Sequence, residues 1–336
     1  MKVFEVRDKF GIDSLTLADR PEPKPGVGQV LVKMRGWSLN YRDLMMVKGQ
    51  YNPKLRFPFV PLSDGVGEVV AVGQGVSRVK AGERVAGAFM QRWLAGDLTE
   101  AKAKTTLGGG AEGMLAEYVV LHEDGVVHMP EHLSDEEAAT LPCAALTAWH
   151  ALVVEGSVKA GDAVLIQGTG GVSLFALQFA KLLGARVIAT SSSDEKLKRV
   201  QQLGASDGIN YKTTPEWGNR ARELTGGIGV DHVIEVGGAG TLGESLRAVR
   251  TGGQISLIGV LTGGGGTVNP MPILMKSVRV QGIFVGSREM FEAMNRAIAL
   301  HKLRPVIDRV FAFQEIREAL RHLESGAHFG KICLRA

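Results

Sequence analysis

Along the first 120 or so residues the apolar positions come in short runs, each about the length of one strand. QVLVKMR (29–35), GEVVAV (67–72) and AEYVVL (116–121) are separated by the turn-rich pieces PEPKPGVG and VGQGVSRVKAGERV. Short strands punctuated by Gly and Pro predict a compact, mostly β domain. After about Glu123 the rhythm changes. LSDEEAATLPCAALTAWHALV opens with a Ser134-x-x-Glu137 capping signal and continues as helix, with Pro142 dividing it. Strand-length and helical runs then alternate. AVLIQG, RVIATS, GINY, HVIEVG, QISLIGV and VRVQGIFVG are six apolar runs, and LFALQFAKLLG, EKLKRVQQLG and LGESLRAVR lie among them. That alternation predicts a doubly wound, parallel six-stranded sheet of α/β class. From about Glu289 two helical runs and a final strand, KICLR, follow and are expected to rejoin the first domain. The expected organisation is therefore 1–123 with 289–336 as one domain, and 124–288 as the other.

Composition narrows the field. With 336 residues the chain is long enough for two domains with cores of their own, and its 44 glycines suit many short loops between parallel strands. The 39 basic and 35 acidic residues are dispersed, without a block of like charge, so neither a nucleic-acid arm nor a polybasic membrane patch is expected. Two cysteines, Cys143 and Cys333, give no disulfide framework and no cysteine-based metal site. MKVFEVRDKFG lacks the apolar stretch of a signal peptide, and no segment approaches the ~20 apolar residues of a membrane span. A cytoplasmic location is the expectation.

The first candidate chemistry lies in VLIQGTGGVS. Gly168, Thr169, Gly170, Gly171 and Val172 follow a buried strand and open a helix, the setting of a dinucleotide's pyrophosphate turn. Ser173 stands where the last glycine is expected. That glycine serves close helix–strand packing, so a serine affects packing rather than phosphate contact. About twenty residues further on, an NAD site normally offers a carboxylate to the ribose 2′-hydroxyl. Here Thr190, Ser191, Ser192 and Ser193 occupy the strand end, with Lys196 one step into the helix. Hydroxyls and a lysine suit a 2′-phosphate, which points to NADP(H). Ser192 or Ser193 also reads as a helix cap, and both roles are compatible.

Taken together, several segments resemble the medium-chain dehydrogenase/reductase superfamily, in particular its zinc-independent, quinone-oxidoreductase-like branch. They are GQVLVKMRGWSLNYRDLMMVKGQY, PFVPLSDGVGEVVAVGQGVSRVKAGERV, GGAEGMLAEYVV, LPCAALTAWHAL, the glycine turn and HFGKICL. The resemblance covers nearly the whole chain. It implies a GroES-like substrate domain split around a Rossmann domain, an active site in the cleft between them, and a homodimer assembled through the last Rossmann strand, near 278–286. Where zinc enzymes of the superfamily carry a cysteine and a His-Glu pair, this chain has Ser38 and Ser63-Asp64, and the cysteine-rich structural lobe is replaced by QRWLAGDLTEAKAKTTLGGG. No metal is expected. His122, His128 and His132 straddle a strand end and a loop and read as surface or packing residues.

Without a metal, hydride addition to a C=C bond conjugated to a carbonyl is easier than polarising a simple alcohol, because the developing enolate needs only hydrogen-bond donors and a proton. Asn40, Tyr41 and Asp43 in SLNYRD and Tyr51 in GQYN are the candidate groups. By resemblance to enoyl reductases, Tyr51 is the proton-donor candidate and Asn40 lines the nicotinamide pocket. Tyr51 also reads as a rim residue of a Pro-rich loop, and Asp43 as a group that fixes loop geometry. The resemblance further implies Thr147 facing the nicotinamide, Tyr211 beside the adenosine phosphate and Lys331 near the cofactor. The competing readings are a buried helical hydroxyl, strand packing and an exposed strand-end lysine. Val236 and Gly237, Ile258, Gly259 and Val260, and Phe284, Val285 and Gly286 sit at strand C-termini, where ligands bind in open α/β sheets; core packing is their alternative. Gly263–Gly266 reads as a loop, with a lid over the nicotinamide as its other reading.

Three functions stay open. The first is an NADPH-dependent reductase of a quinone, enone or other activated small-molecule substrate. The second is a zinc-free alcohol or aldehyde dehydrogenase, and the third a non-catalytic NADPH-binding structural or RNA-associated protein. The loops that would choose the substrate, such as 89–110, carry no readable code.

Overall fold

The computed structural model describes residues 1–263 and 265–336; Gly264, within the glycine loop noted above, lies outside the described residues. The chain forms two compact units, Met1–Leu146 with Gly286–Ala336, and Thr147–Val285.

In the first unit, strands β1 (Lys2–Val6) and β2 (Leu15–Asp19) pair antiparallel as a separate ribbon. Strands β3 (Gln29–Ser38), β4 (Asp64–Val72), β5 (Arg84–Gly87), β6 (Tyr118–His122) and β7 (Val126–His128) follow in chain order. In the second unit come β8 (Ala163–Gln167), β9 (Arg186–Ser191), β10 (Asp207–Asn210), β11 (Val230–Glu235), β12 (Val249–Leu257) and β13 (Arg279–Gly282). The chain then returns to the first unit with β14 (Ile307–Ala312) and β15 (Lys331–Arg335).

The first unit's seven-stranded sheet runs β14-β15-β3-β4-β5-β7, with β6 paired to β3. In the long strand β3, Val32 and Met34 are buried while Lys33 and Arg35 face out, and past a register shift between Met34 and Gly36 Trp37 is buried out of that phase. The returning segment completes that core. Helix Ile316–Glu324 buries Ile316, Ala319, Leu320 and Leu323, one stripe at helical spacing. The helix Asp135–Ala139, capped by Ser134 and Glu137, ends before Pro142 as its sequence predicts. Its neighbours are β3, β4 and β15, so it falls in the first unit although its position after Glu123 suggested the second.

The second unit is a parallel six-stranded sheet in the order β10-β9-β8-β11-β12-β13. Leu165, Ile188, Ile209, Val233 and Ile255 from five of its strands share a core with Trp217 and Leu246 from covering helices. The strand order reverses between β8 and β11, and the crevice beyond the carboxyl ends of those two strands is where such sheets take ligands. This is a Rossmann sheet accompanied by a GroES-like unit.

Candidate active site

The functional residues gather in two groups, one in each unit. In the second unit β8 stops at Gln167, and Gly168 turns the chain with φ +70, a left-handed conformation that glycine adopts without strain. Gly170 is the N-cap of helix Gly171–Leu182, and a Cβ added at Gly168 or Gly170 would meet nothing within 4 Å. Open space therefore stands before the helix's first amides, which have no acceptor further back in the helix. Thr169 is buried and Val172 half-buried. Ser173 turns inward: its Oγ donates to the Gln167 carbonyl at 2.6 Å. The serine that replaces the glycine thus ties helix to strand and leaves the turn untouched.

The neighbouring strand end carries hydroxyls as the sequence indicates. Ser191 Oγ accepts from Ser193 N at 3.2 Å, and Ser193 Oγ caps the next helix by accepting from Lys196 N at 3.3 Å. Ser192 and Lys196 are half-buried. The first carboxylate beyond the strand, Asp194, is engaged by Asn210 Nδ2 at 2.7 Å. Tyr211 donates its backbone N–H to Ser191 O, and its side chain is exposed, which rules out strand packing for the ring.

At β11 and β12 the main chain is more committed than its sequence suggests. Val236 N and Gly237 N both donate to Gln167 Oε1, while Val236 O and Gly237 O accept from Leu261 N and Thr262 N. Ile258 N and Gly259 N donate to Glu235 O. A Cβ on Gly259 would sit 2.6 Å from Val236 O, so this approach requires glycine. Val260 is exposed. After β13, Phe284 is half-buried, and Val285 holds a left-handed φ of 55 while its carbonyl accepts from His150 Nδ1 at 2.7 Å. Gly286 is the first residue of the returning segment, and Thr147 is buried in helix Leu146–Trp149.

The first unit holds the second group. Asn40 caps helix Tyr41–Val47 and donates its backbone N–H to Asp43 Oδ2 at 2.9 Å. Lys331, the first residue of β15, is only 4% exposed, so the exposed strand-end reading does not apply. Its ammonium donates to Leu39 O and to Asn40 Oδ1, both at 2.6 Å. Asn40 Nδ2 donates to Ser63 Oγ at 3.4 Å, and Ser63 Oγ donates to Asp64 Oδ1 at 2.8 Å. The other oxygen of Asp64 accepts from Cys143 N at 3.2 Å. A continuous hydrogen-bonded chain thus runs from Lys331 through Asn40 and Ser63 to Asp64.

Two buried carboxyls share this region. Burial pushes the Asp43 carboxyl up to about 6, with the Arg42 guanidinium partly offsetting it, and burial raises Asp64 against the pull of Lys331. Arg42 is one of the residues that sequence reasoning missed. Its guanidinium lies 5.6 Å from the centre of the Tyr51 ring and 4.8 Å from that of Phe89, and it donates to Leu107 O at 2.8 Å. Tyr51 itself is 46% exposed and Tyr41 is likewise exposed on its helix. An arginine between a tyrosine and an aspartate reads as surface in a sequence; only the neighbours brought by Phe89 and Leu107 show otherwise.

Residues 171–299 match a family model described as zinc-binding dehydrogenase, and residues 26–131 match the alcohol dehydrogenase GroES-like domain. A zinc-type alcohol dehydrogenase-like protein of Schizosaccharomyces pombe is 45% identical over 99% of this chain and 98% of its own length. The chain belongs to the medium-chain dehydrogenase/reductase superfamily. As a member of that superfamily it is an oxidoreductase, with both alcohol dehydrogenase-like and quinone oxidoreductase-like relatives. A human quinone oxidoreductase is 28% identical over 97% of this chain and 95% of its own. Among solved structures, an NAD-dependent alcohol dehydrogenase superposes with a TM-score of 0.91 at 36% identity, covering 100% of both chains. A mycobacterial protein solved with NADPH superposes with a TM-score of 0.84 at 29% identity, also covering 100% of both.

The superfamily's zinc can be tested against the donors present. Zinc takes thiolate, imidazole and carboxylate ligands. Ser38 Oγ here donates to Ile332 O at 3.3 Å, Ser63 is tied to Asp64, and the charge of Lys331 acts on Asp64. The nearby Cys143 thiol is pushed well above its ordinary range by burial and by the Asp64 charge, so it stands as a thiol rather than as the thiolate a metal binds. These residues do not make a zinc ligand set. Among the described residues no group of three or more His, Cys, Asp or Glu converges, and His122, His128 and His132 each find separate partners, Asp124 N, Glu83 and Leu303 O. Among the described residues no helix is long and apolar enough to cross a membrane.

Proposed function

We propose that the chain is a zinc-independent, NADP(H)-dependent reductase of activated double bonds in small molecules such as quinones and enones. One observation carries the reading. Where the resemblance puts the zinc enzymes' His-Glu pair stand Ser63 and Asp64, and they are joined through Asn40 to Lys331 in a buried chain of donors and acceptors within hydrogen-bond reach of one another. Such a chain can hold a proton and fix the orientation of an oxygen-bearing substrate without a Lewis acid.

The nucleotide, when bound, supplies the hydride. In this reading the open turn at Gly168–Gly171 and the helix behind it receive the pyrophosphate, and Ser191–Ser193 with Lys196 receive the 2′-phosphate. Charge-assisted hydrogen bonds contribute about 1.5–3 kcal/mol each, so one or two favour NADPH over NADH by roughly tenfold to a few hundredfold. Tyr51, with its ring against Arg42, is the proton donor to the enolate, at the carbon next to the carbonyl, and Asp43 keeps Asn40 in place. The loop 89–110 is the part of the chain that would select the substrate. A homodimer would use the outer edge of β13 and the apolar residues Met271, Leu274 and Met275, all exposed in the single chain.

A second reading, a zinc-free alcohol or aldehyde dehydrogenase, draws support from the alcohol dehydrogenase-like relatives. Consumption of NADPH and NADH, followed with a quinone, an enone and an aldehyde, separates the two. We expect NADPH to be used at least about tenfold better and the enone or quinone to be reduced. Turnover of the aldehyde alone would move the assignment to the second reading. Nucleotide binding without turnover of any of the three would make the chain a non-catalytic binder.

A further inference from the structure

Glu235 closes β11 and is fully buried, yet among the described residues no cation partners its carboxylate. Oε1 accepts from Gly237 N at 2.8 Å, Gly238 N at 2.9 Å and Thr241 Oγ1 at 2.5 Å. Oε2 accepts from Gln167 Nε2 at 2.6 Å and from Ser245 Oγ. A buried carboxylate without a counter-ion survives only where donors satisfy its oxygens, and an apolar side chain in its place would leave five donors without an acceptor. So many donors converging on one side chain call for a reason in what they hold together.

The surrounding bonds supply one. Gln167 closes the strand that feeds the glycine turn. Its Nε2 also donates to Ser245 Oγ at 2.8 Å, its Oε1 accepts from Val236 N and Gly237 N, and its backbone carbonyl takes the Ser173 hydroxyl. On the other side, Thr262 Oγ1 donates to Gly237 O at 2.8 Å and accepts from Gly240 N at 2.9 Å. One web thus joins the helix behind the glycine turn, the loop after β11 and the loop after β12. All three lie at the carboxyl ends of the strands, and Glu235 is the acceptor on which five donors converge.

We propose that Glu235, assisted by Gln167, is a positioning residue that sets the shape of the loops 236–241 and 259–262 under the nicotinamide half of the dinucleotide. The assignment of that half follows from topology. With the pyrophosphate over the turn after β8, the adenosine lies toward β9 and β10, and the nicotinamide toward β11, β12 and β13. The proposal rests on the nucleotide reading above. It adds that the main-chain donors of Val236 and Gly237 are consumed internally, so these residues act through the shape they hold and not as hydrogen-bond donors to the cofactor. It also gives Ser173 a purpose, since the serine couples the helix to the same web.

Glu235→Gln tests this. The side chain keeps its size, but its NH2 must face at least two of the five donors. We expect NADPH binding, measured by calorimetry, to weaken about tenfold or more, while 2′,5′-ADP, which lacks the nicotinamide half, binds as to the unaltered chain. Backbone amide exchange at Gly237, Gly238 and Thr262 should accelerate, a readout independent of any nucleotide. Unchanged NADPH affinity, or equal weakening of NADPH and 2′,5′-ADP, would overturn the proposal. Failure of the unaltered chain to bind NADPH or NADH would instead remove the nucleotide reading, and is measured first. Should Glu235→Gln not fold, Ser245→Ala removes a single donor from the same oxygen and must show the same selectivity between the two ligands at smaller size.

Discussion

Asp43 is buried, and only one of its two carboxyl oxygens has a hydrogen-bond partner among the described residues. Oδ2 takes the Asn40 amide, while Oδ1 has no hydrogen-bond partner among the described residues and has the Arg42 guanidinium 3.6 Å away. The folded state therefore holds its proton up to a pH of about 6, whereas the unfolded chain releases it near 3.8. Between those values the folded state binds the extra proton, so stability falls as pH rises and the loss is complete above about 6. The full effect is on the order of 3 kcal/mol at ~1.36 kcal/mol per unit. Asp43→Asn removes the titration and keeps an acceptor for Asn40. Urea unfolding from pH 4.5 to 7.5 should show the variant gaining on the parent up to about pH 6 and running parallel above it. A difference that stays constant with pH would contradict the assignment.

In the proposed reading, Lys196 is the residue on which cofactor choice turns. If it meets the 2′-phosphate, Lys196→Ala weakens NADPH by about tenfold or more and leaves NADH nearly unchanged, because one charge-assisted bond is lost from only one of the two ligands. Binding titrations with both nucleotides decide it, and equal losses would show that the side chain serves the helix alone. At this scale the sequence was legible where a local rule applied. Asp43 reads as a group that fixes local geometry and takes the Asn40 amide, and the serine run reads as a strand end followed by a cap, with Ser193 capping the next helix. Arg42 and Glu235 were not legible, and Lys331 was reached only through the resemblance, because their roles come from burial by segments distant in sequence.

At the scale of elements, Ser173 shows what a departure from a motif does. Its hydroxyl bonds the last carbonyl of β8 and so replaces the close contact that a glycine would allow. Ser173→Ala should cost about 1 kcal/mol in urea unfolding, the usual net value of one such bond, and loosen NADPH binding a few-fold through the shared web. Full retention of both would mean that the helix is held by its apolar face alone, through Leu174, Phe175 and Leu177. The six parallel strands were read correctly because buried strands in such sheets form continuous apolar runs. Strand β14, with the sequence IDRVFA, was missed for the opposite reason. It is the outermost strand of its sheet, none of its residues is fully buried, and it shows no alternation to read. The helix Asp135–Ala139 was legible as a helix but not as part of the first unit, since its partners β3, β4 and β15 lie far from it along the chain.

At the scale of the molecule, each unit has a hydrophobic core of its own, and the first is assembled from both ends of the chain. Leu320 on the returning helix is fully buried among residues such as Phe4, Leu15 and Trp37 of that shared core. Leu320→Ala removes buried methyl groups and leaves a cavity, a change that costs about 2–5 kcal/mol in comparable cores. If NADPH binds the second unit as proposed, saturating nucleotide adds about 2.7 kcal/mol there at 100 times its Kd. Hydrogen exchange read separately over the two units should therefore show opposite responses. Protection falls across β3, β4 and β15 in the Leu320→Ala variant, and it rises across β8, β9 and β11 when nucleotide is added. If Leu320→Ala left the first unit's protection intact, the returning segment would be a peripheral strap. The split of one core across both termini would then have no energetic meaning.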